Sequence, residues 1–92
     1  MKVVKIVRTC FACPEQYEGE LSNGEKFYVR CRWGHARLGV SPNSVDEAVH
    51  AKPISEIYYD DDIQGVFDAG DLKKLFEQVN IELDESIITE YI

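Results

Sequence analysis

Three cysteines and one histidine are the residues whose types and spacing could most directly do chemistry. Cys10 and Cys13 form a Cys-x2-Cys pair, and Cys31 and His35 form a second pair that begins after seventeen intervening residues. Zinc takes four thiolate or imidazole ligands in a tetrahedral arrangement, which two such pairs can supply. The pattern therefore predicts, as one alternative, a zinc-stabilised Cys3His domain.

The other interpretation of these residues is structural. Cys31 lies in phase with apolar neighbours along a strand-like segment, where a free cysteine behaves as a small core residue. His35 is an ordinary residue for a hairpin tip, and an odd number of cysteines argues against a disulfide framework. A redox-active Cys10/Cys13 pair would need a helix directly after it, but residues 15–21 are typical of a strand. We favour the structural interpretation and expect no bound cofactor.

An acidic segment in the second half could hold a different metal. Aligned with the twelve-residue calcium loop, it places Asp60, Asp62 and Gln64 at ligand positions, Gly65 at the turn and Asp71 at the last position. Aspartate is short for the bidentate ligand expected there, and a strand-like segment precedes the loop where a helix should enter. Calcium binding is therefore a third possibility, and an acidic turn is the favoured interpretation.

The sequence contains none of the catalytic patterns for which we searched. It has no G-x-S-x-G, no phosphate-binding glycine-rich loop and no H-E-x-x-H. The two histidines, His35 and His50, have no neighbouring nucleophile in a familiar arrangement. A chain of 92 residues also leaves little room for a deep substrate pocket. We do not expect an enzyme.

Charge is distributed unevenly along the chain. The net charge is −7, yet residues 26–41 hold four basic residues and no acid, whereas residues 42–92 hold thirteen acidic and three basic residues. Direct nucleic-acid binding is not expected, because the chain as a whole repels phosphate. No apolar run reaches the length of a membrane span, so no membrane contact is expected and a cytoplasmic location is the default.

Residues 16–41 predict an antiparallel β-meander. A three-residue loop, Ser22-Asn23-Gly24 with Gly24 left-handed, pairs Leu21 with Glu25 and places the apolar residues of both strands on one face. A two-residue turn there would mix glutamates with apolar side chains. For the next hairpin, a two-residue loop at Gly34-His35 is predicted.

That second loop predicts that Cys31 faces Leu38 and that Arg32 faces Arg37. The polar face of the hairpin then becomes a candidate protein-binding surface, since tyrosine and arginine are enriched in interfaces. Its residues are Tyr28, Arg30, Arg32 and Arg37. Alternatively, Glu18 and Glu20 neutralise these arginines, or the acidic second half packs over them.

The remaining patterns predict helices and an α+β fold. Ser44 and Glu47 form a capping box for a short helix over about 45–51. Residues 54–59 are typical of a strand, with a further short one near residues 66–67, and an apolar stripe predicts a helix over about 69–80. The tail fits either a last helix or a cover for a sheet edge. We expect a single domain over residues 1–92, with a three- to four-stranded antiparallel meander packed against one main C-terminal helix.

The first half of the chain also contains a familiar order of residues. It consists of Cys13-Pro14-Glu15-Gln16-Tyr17-Glu18-Gly19, then Gly24, then Phe27-Tyr28-Val29-Arg30-Cys31-Arg32-Trp33-Gly34, then Leu38 and Val40. With this series, and with Gly65-Val66-Phe67, the chain resembles short proteins of unknown function encoded by bacteriophages and their bacterial hosts. Those relatives carry an aromatic residue where this chain has Cys31, which argues against zinc. The resemblance transfers no activity, and it implies a small protein that binds a host protein as an inhibitor or charge mimic.

We therefore predict a non-catalytic, small acidic protein that binds another macromolecule, a protein partner. The alternative contact surface is the arginine-rich face described above. The favoured contact residues are those of the acidic half: Asp60, Asp61, Asp62, Glu82, Asp84 and Glu85.

Overall fold

The computed structural model describes residues 1–10, 15–32, 34–58 and 69–90. Within them, six strands form one mixed sheet, which two helices and a short 3-10 turn accompany. The strands are β1 (Val3–Cys10), β2 (Glu15–Leu21), β3 (Lys26–Arg32), β4 (His35–Ser41), β5 (Ser55–Tyr58) and β6 (Ile88–Glu90), and the helices are α1 (Val45–His50) and α2 (Ala69–Glu77). Their order across the sheet is β5-β4-β3-β2-β1-β6. All neighbours are antiparallel except β1 and β6.

The hairpin between β2 and β3 has the predicted three-residue loop. The Leu21 N–H donates to the Glu25 carbonyl at 2.8 Å, and Gly24 adopts a φ of 89°. A side chain at that φ would be strained, so the loop requires glycine or a similarly tolerant residue. The resulting register places Tyr17 opposite Val29 on the buried face.

The hairpin between β3 and β4 differs from the prediction by two residues. Cys31 lies opposite Ala36, Arg30 lies opposite Arg37, and Arg32 and His35 are the last pair before the loop. The predicted pairs of Cys31 with Leu38 and of Arg32 with Arg37 were therefore wrong. A two-residue shift keeps every side chain on its predicted face, because side chains alternate along a strand.

His35 explains the shift, since it belongs to β4 and not to the hairpin tip. It pairs with Tyr58 of β5, and its Nε2 lies 3.0 Å from Glu56 Oε1. These contacts with β5 extend β4 by one residue at its start. Gly34, with a φ of 73°, then takes the left-handed position of the turn.

Helix α2 packs on the inner face of the sheet and completes the core. Its predicted apolar stripe is confirmed, since Leu72, Leu75 and Phe76 are fully buried. The Phe76 ring meets the Phe27 ring edge-on, with centroids 5.1 Å apart. Ser55 in β5 donates its hydroxyl to the Leu75 carbonyl at 2.6 Å. The helix is thus tied to β5 at the sheet edge and packs against the centre of the sheet.

Helix α1 packs across β3 and β4 on the outer face. A Cβ added at Gly39 would lie 2.2 Å from the Ala48 carbonyl oxygen, so only glycine lets the helix approach this closely. Ser44 caps the helix by accepting the Glu47 N–H, as the capping box predicts. The Glu47 carboxylate accepts the Ser41 hydroxyl and the Asn43 amide, each at 2.8 Å. These contacts join the helix start to the end of β4.

The tail covers the free edge of β1, one of the two possibilities noted for it. Strand β6 runs parallel to β1, with Ile88 beside Ile6, and the 3-10 turn Glu85–Ile87 precedes it. The fold is α+β as expected, but the sheet has six strands among the described residues and α2 is followed by further structure. The prediction of three to four strands missed the pairs of β5 and β6, because β5 joins β4 across the intervening helix α1 and β6 joins β1 from the far end of the sequence. The predicted strand near residues 66–67 lies outside the described residues.

Candidate functional site

Acidic side chains from α2 and from the segment after it line one groove. The groove has a volume of about 780 Å³ and is lined by Lys73, Glu77, Asn80, Ile81, Glu82, Leu83, Asp84 and Glu85. All of the charged residues are exposed, whereas Ile81 and Leu83 form its buried floor. We call the four carboxylates Glu77, Glu82, Asp84 and Glu85 the acidic groove. Three of them are predicted contact residues.

The groove has its shape because α2 ends in a Schellman turn. The Ile81 N–H donates to the Phe76 carbonyl at 3.1 Å, and the Asn80 N–H donates to the Glu77 carbonyl at 3.0 Å. Asn80 has a φ of 60°, the left-handed conformation that this motif requires at its turning residue. Ile81 then packs into the core together with Phe76, which directs the chain back along α2.

Backbone pairing with β1 positions Glu82. Its N–H donates to the Met1 carbonyl at 3.0 Å, and its carbonyl accepts the Val3 N–H at 2.9 Å. Leu83, only 3% exposed, follows it into the core. The Glu82 side chain is therefore exposed to solvent, while the N–H and the carbonyl of its backbone are both hydrogen-bonded.

Asp84 is oriented by the 3-10 turn that it caps. Its Oδ1 accepts the Ser86 N–H at 3.0 Å and the Ser86 hydroxyl at 2.7 Å. These hydrogen bonds, with a smaller contribution from the charge of Lys73, lower the pKa of Asp84 below its ordinary value. The carboxylate is thus held in its charged form at the mouth of the groove.

The arginine-rich face is less accessible than the sequence predicts. Tyr28 is only 9% exposed, because α1 packs over the outer face of β3 and β4. Tyr28 is thus more exposed than its strand neighbours Phe27 and Val29, as predicted, but it is buried, and its role as a contact residue stays a prediction. Arg30 and Arg37 are half-buried and lie opposite each other, and the Arg32 side chain lies outside what the structure describes.

The proposed zinc ligands do not converge among the described residues. Cys31 is buried on the inner face, whereas His35 is on the outer face with its ring bonded to Glu56. Burial raises the pKa of the Cys31 thiol, with the nearby acids Glu15 and Asp71 adding to the effect, which opposes the thiolate that zinc binds. Cys13 and the Cys10 side chain lie outside the described residues. No group of three potential metal-binding side chains is present in the described part.

The calcium loop cannot be placed as a whole. Asp60, Asp61, Asp62, Gln64 and Gly65 lie outside the described residues. Asp71 is described and belongs to the first turn of α2. The calcium hypothesis therefore stays a prediction.

A second polar cluster, which was not predicted from the sequence, lies at one end of the inner face. Glu15 forms an ion pair with Arg8 at 3.0 Å and accepts the Tyr17 hydroxyl at 3.0 Å. Burial raises the pKa of Glu15, and the Tyr17 hydrogen bond and the Arg8 charge oppose this effect only in part. Burial likewise raises the pKa of Tyr17, so the phenol stays protonated.

Two groove residues, Asn80 and Glu77, were not predicted as part of a site, although the sequence around each contains a pattern that indicates its position. Asn80 directly follows the apolar stripe of α2, where an asparagine or glycine commonly ends a helix. Glu77 lies on the side of α2 opposite the buried stripe and is exposed by that periodicity. The sequence did not indicate the direction that the chain takes after the turn, so the groove itself could not be predicted.

Comparison with known proteins finds no matching family model, no matching curated protein and no matching solved structure. Among the described helices, none is long and apolar enough to cross a membrane.

Proposed function

We propose that this chain is a non-catalytic binding protein whose acidic groove contacts a basic surface of a host protein. The observation that carries the proposal is the placement of four exposed carboxylates around one groove of about 780 Å³, where Lys73 is the one basic residue among the described lining residues. Such a concentration of like charge attracts a cationic surface and speeds its association. The resemblance to phage-encoded proteins is our reason for choosing a host protein, which the chain would inhibit as a charge mimic.

The way in which the groove is held also favours binding. Glu82 and Asp84 project from a segment whose backbone is bonded to β1 and to its own 3-10 turn. A surface that is already ordered loses less conformational entropy when a partner binds. Asp60, Asp61 and Asp62 are part of the proposed contact as a prediction from the sequence.

Binding of a labelled oligolysine peptide tests the groove while the natural partner is unidentified. We expect the triple variant Glu77→Gln, Glu82→Gln, Glu85→Gln to weaken binding about tenfold at low salt, mainly through slower association. Asp84 is left unchanged, so the 3-10 turn keeps its cap. Stopped-flow fluorescence measures the association rate, which should fall steeply as salt rises.

A control variant distinguishes the effect of the groove carboxylates on binding from the effect of net charge. Glu25→Gln, Asp46→Asn, Glu56→Gln removes the same number of negative charges away from the groove. We expect it to reduce binding much less than the groove variant does. Equal losses in both variants would show that only net charge matters and would contradict the proposed site.

A further inference from the structure

Two arginines on the outer face lie directly opposite each other and form no ion pair among the described residues. Arg30 and Arg37 form a cross-strand pair between β3 and β4, and both are half-buried. No carboxylate is within ion-pair distance of either guanidinium in the described part of the chain. Like charges placed opposite each other in a sheet are destabilising, so an anion between them would relieve the repulsion.

The acidic neighbours that could neutralise this pair are engaged elsewhere or remain apart. Glu20 is paired with Lys26. Glu56 lies opposite Arg37 in the register of β4 and β5, but its carboxylate is bonded to His35 and not to the guanidinium. Glu18 lies opposite Tyr28 and forms no ion pair with either arginine. The internal neutralisation considered from the sequence is therefore not realised by Glu18 or Glu20.

Tyr28 lies on the same face as the two arginines, two residues before Arg30 along β3. Burial raises the pKa of Tyr28, the charges of Arg30 and Arg37 oppose that rise, and the charge of Glu18 adds to it. Two guanidinium groups are a donor set suited to carboxylate oxygens.

An exposed aromatic residue lies on β5 opposite His35, two residues before Arg37 along β4. Tyr58 of β5 is 84% exposed, and its ring stacks on His35 with centroids 4.8 Å apart. Ile54, at the start of the same edge, is 48% exposed. Aromatic, aliphatic and arginine side chains together are typical of the centre of a protein interface.

We infer that Arg30, Arg37 and Tyr58 form a second docking surface, which binds a short acidic segment of a protein partner through its carboxylates. Charge complementarity at the arginine pair, which forms no ion pair within the described part of the chain, indicates an acidic occupant. The exposed Tyr58 ring provides the apolar contact that a peptide side chain would use. A dense polyphosphate is disfavoured because the chain carries −7 overall. This surface is separate from the acidic groove and has the opposite charge preference.

Fluorescence anisotropy with a labelled peptide of alternating glutamate and leucine tests this surface, with a glutamine–leucine peptide as the matched probe. The glutamate peptide should bind and the glutamine peptide should not. Arg30→Gln and Arg37→Gln should each weaken binding about tenfold, the loss expected for a charge-assisted contact. Tyr58→Ala should also weaken it. Lys26→Gln, which removes a cation already paired with Glu20, should leave binding unchanged.

The stability of the variants provides a second readout. Because removing one of two like charges relieves repulsion, Arg30→Gln should melt at the same temperature as the parent chain or higher. A lower melting temperature would assign the pair a structural role and overturn the inference.

Three binding results would also overturn it. Peptide binding that is indifferent to Arg30→Gln and Arg37→Gln would exclude the surface. Competition by inorganic phosphate as effective as that by the glutamate peptide would show a general anion site. Self-association of the chain in sedimentation, lost in Arg30→Gln, with no peptide binding would assign the face to a second copy.

Discussion

Glu15 shows how a single buried carboxyl makes stability depend on pH. Burial raises its folded-state pKa above the ordinary 4.5, so the folded chain holds this proton more tightly than the unfolded chain. Its contribution to stability is therefore complete below about pH 4.5 and is lost as pH rises through the raised pKa. Glu47 and Asp84 act in the opposite direction, because hydrogen bonds lower their pKa values.

Replacing Glu15 by glutamine isolates this effect. Glu15→Gln keeps an oxygen to accept from Tyr17 but removes the ionisation, so its stability relative to the parent chain should increase as pH rises from acid to neutral. Urea unfolding of both chains across that range measures the difference. Glu18→Gln, on the outer face of the same strand, is the matched control. A difference between Glu15→Gln and the parent that does not change with pH would contradict the prediction.

At the scale of elements, the end of α2 decides where the acidic groove lies. Asn80 occupies a left-handed position, which costs an ordinary side chain about 1–2 kcal/mol but costs glycine little. Asn80→Gly should therefore stabilise the chain by up to about 1 kcal/mol, and Asn80→Ala should destabilise it by about 1 kcal/mol. Thermal or urea unfolding measures both changes.

Gln78 provides the control for that prediction. Gln78 is exposed and still belongs to the hydrogen-bond pattern of the helix, since its N–H donates to the Lys74 carbonyl at 3.1 Å. Glycine there should cost about 0.5–1 kcal/mol, the opposite sign to the change at Asn80. Destabilisation by glycine at both positions would contradict the assigned Schellman turn.

At the scale of the whole molecule, the net charge of −7 makes the folded chain repel itself. Salt should therefore raise the melting temperature by a few degrees as the Debye length falls towards about 8 Å, with sodium and potassium chloride acting alike. The same salt should weaken binding of a basic partner, so stability and affinity should respond in opposite directions. Differential scanning calorimetry measures the first effect. A melting temperature that falls with both salts would contradict it, and a rise confined to calcium would instead support the 60–71 loop as a metal site.

The sequence by itself determined the features that depend on neighbours along the chain. The Ser22-Asn23-Gly24 loop, the Ser44 cap and the buried stripe of α2 each follow from local stereochemistry or from a repeat of side chains. The register predicted for the second hairpin was wrong by two residues. Its side chains still lie on the predicted faces, because a shift of two residues preserves the alternation of side chains along a strand.

Only the tertiary structure decided which of these features meet. His35 joined β4 because β5, about twenty residues away in sequence, supplied Tyr58 and Glu56 as partners. Tyr28 became buried because α1 packed over Gly39, and Glu77 joined Glu82 because the chain reversed at Asn80 and paired with β1. Each of these outcomes depends on contacts between residues far apart in the chain. A local sequence pattern does not indicate the free energy of such contacts. The acidic groove is a product of such contacts.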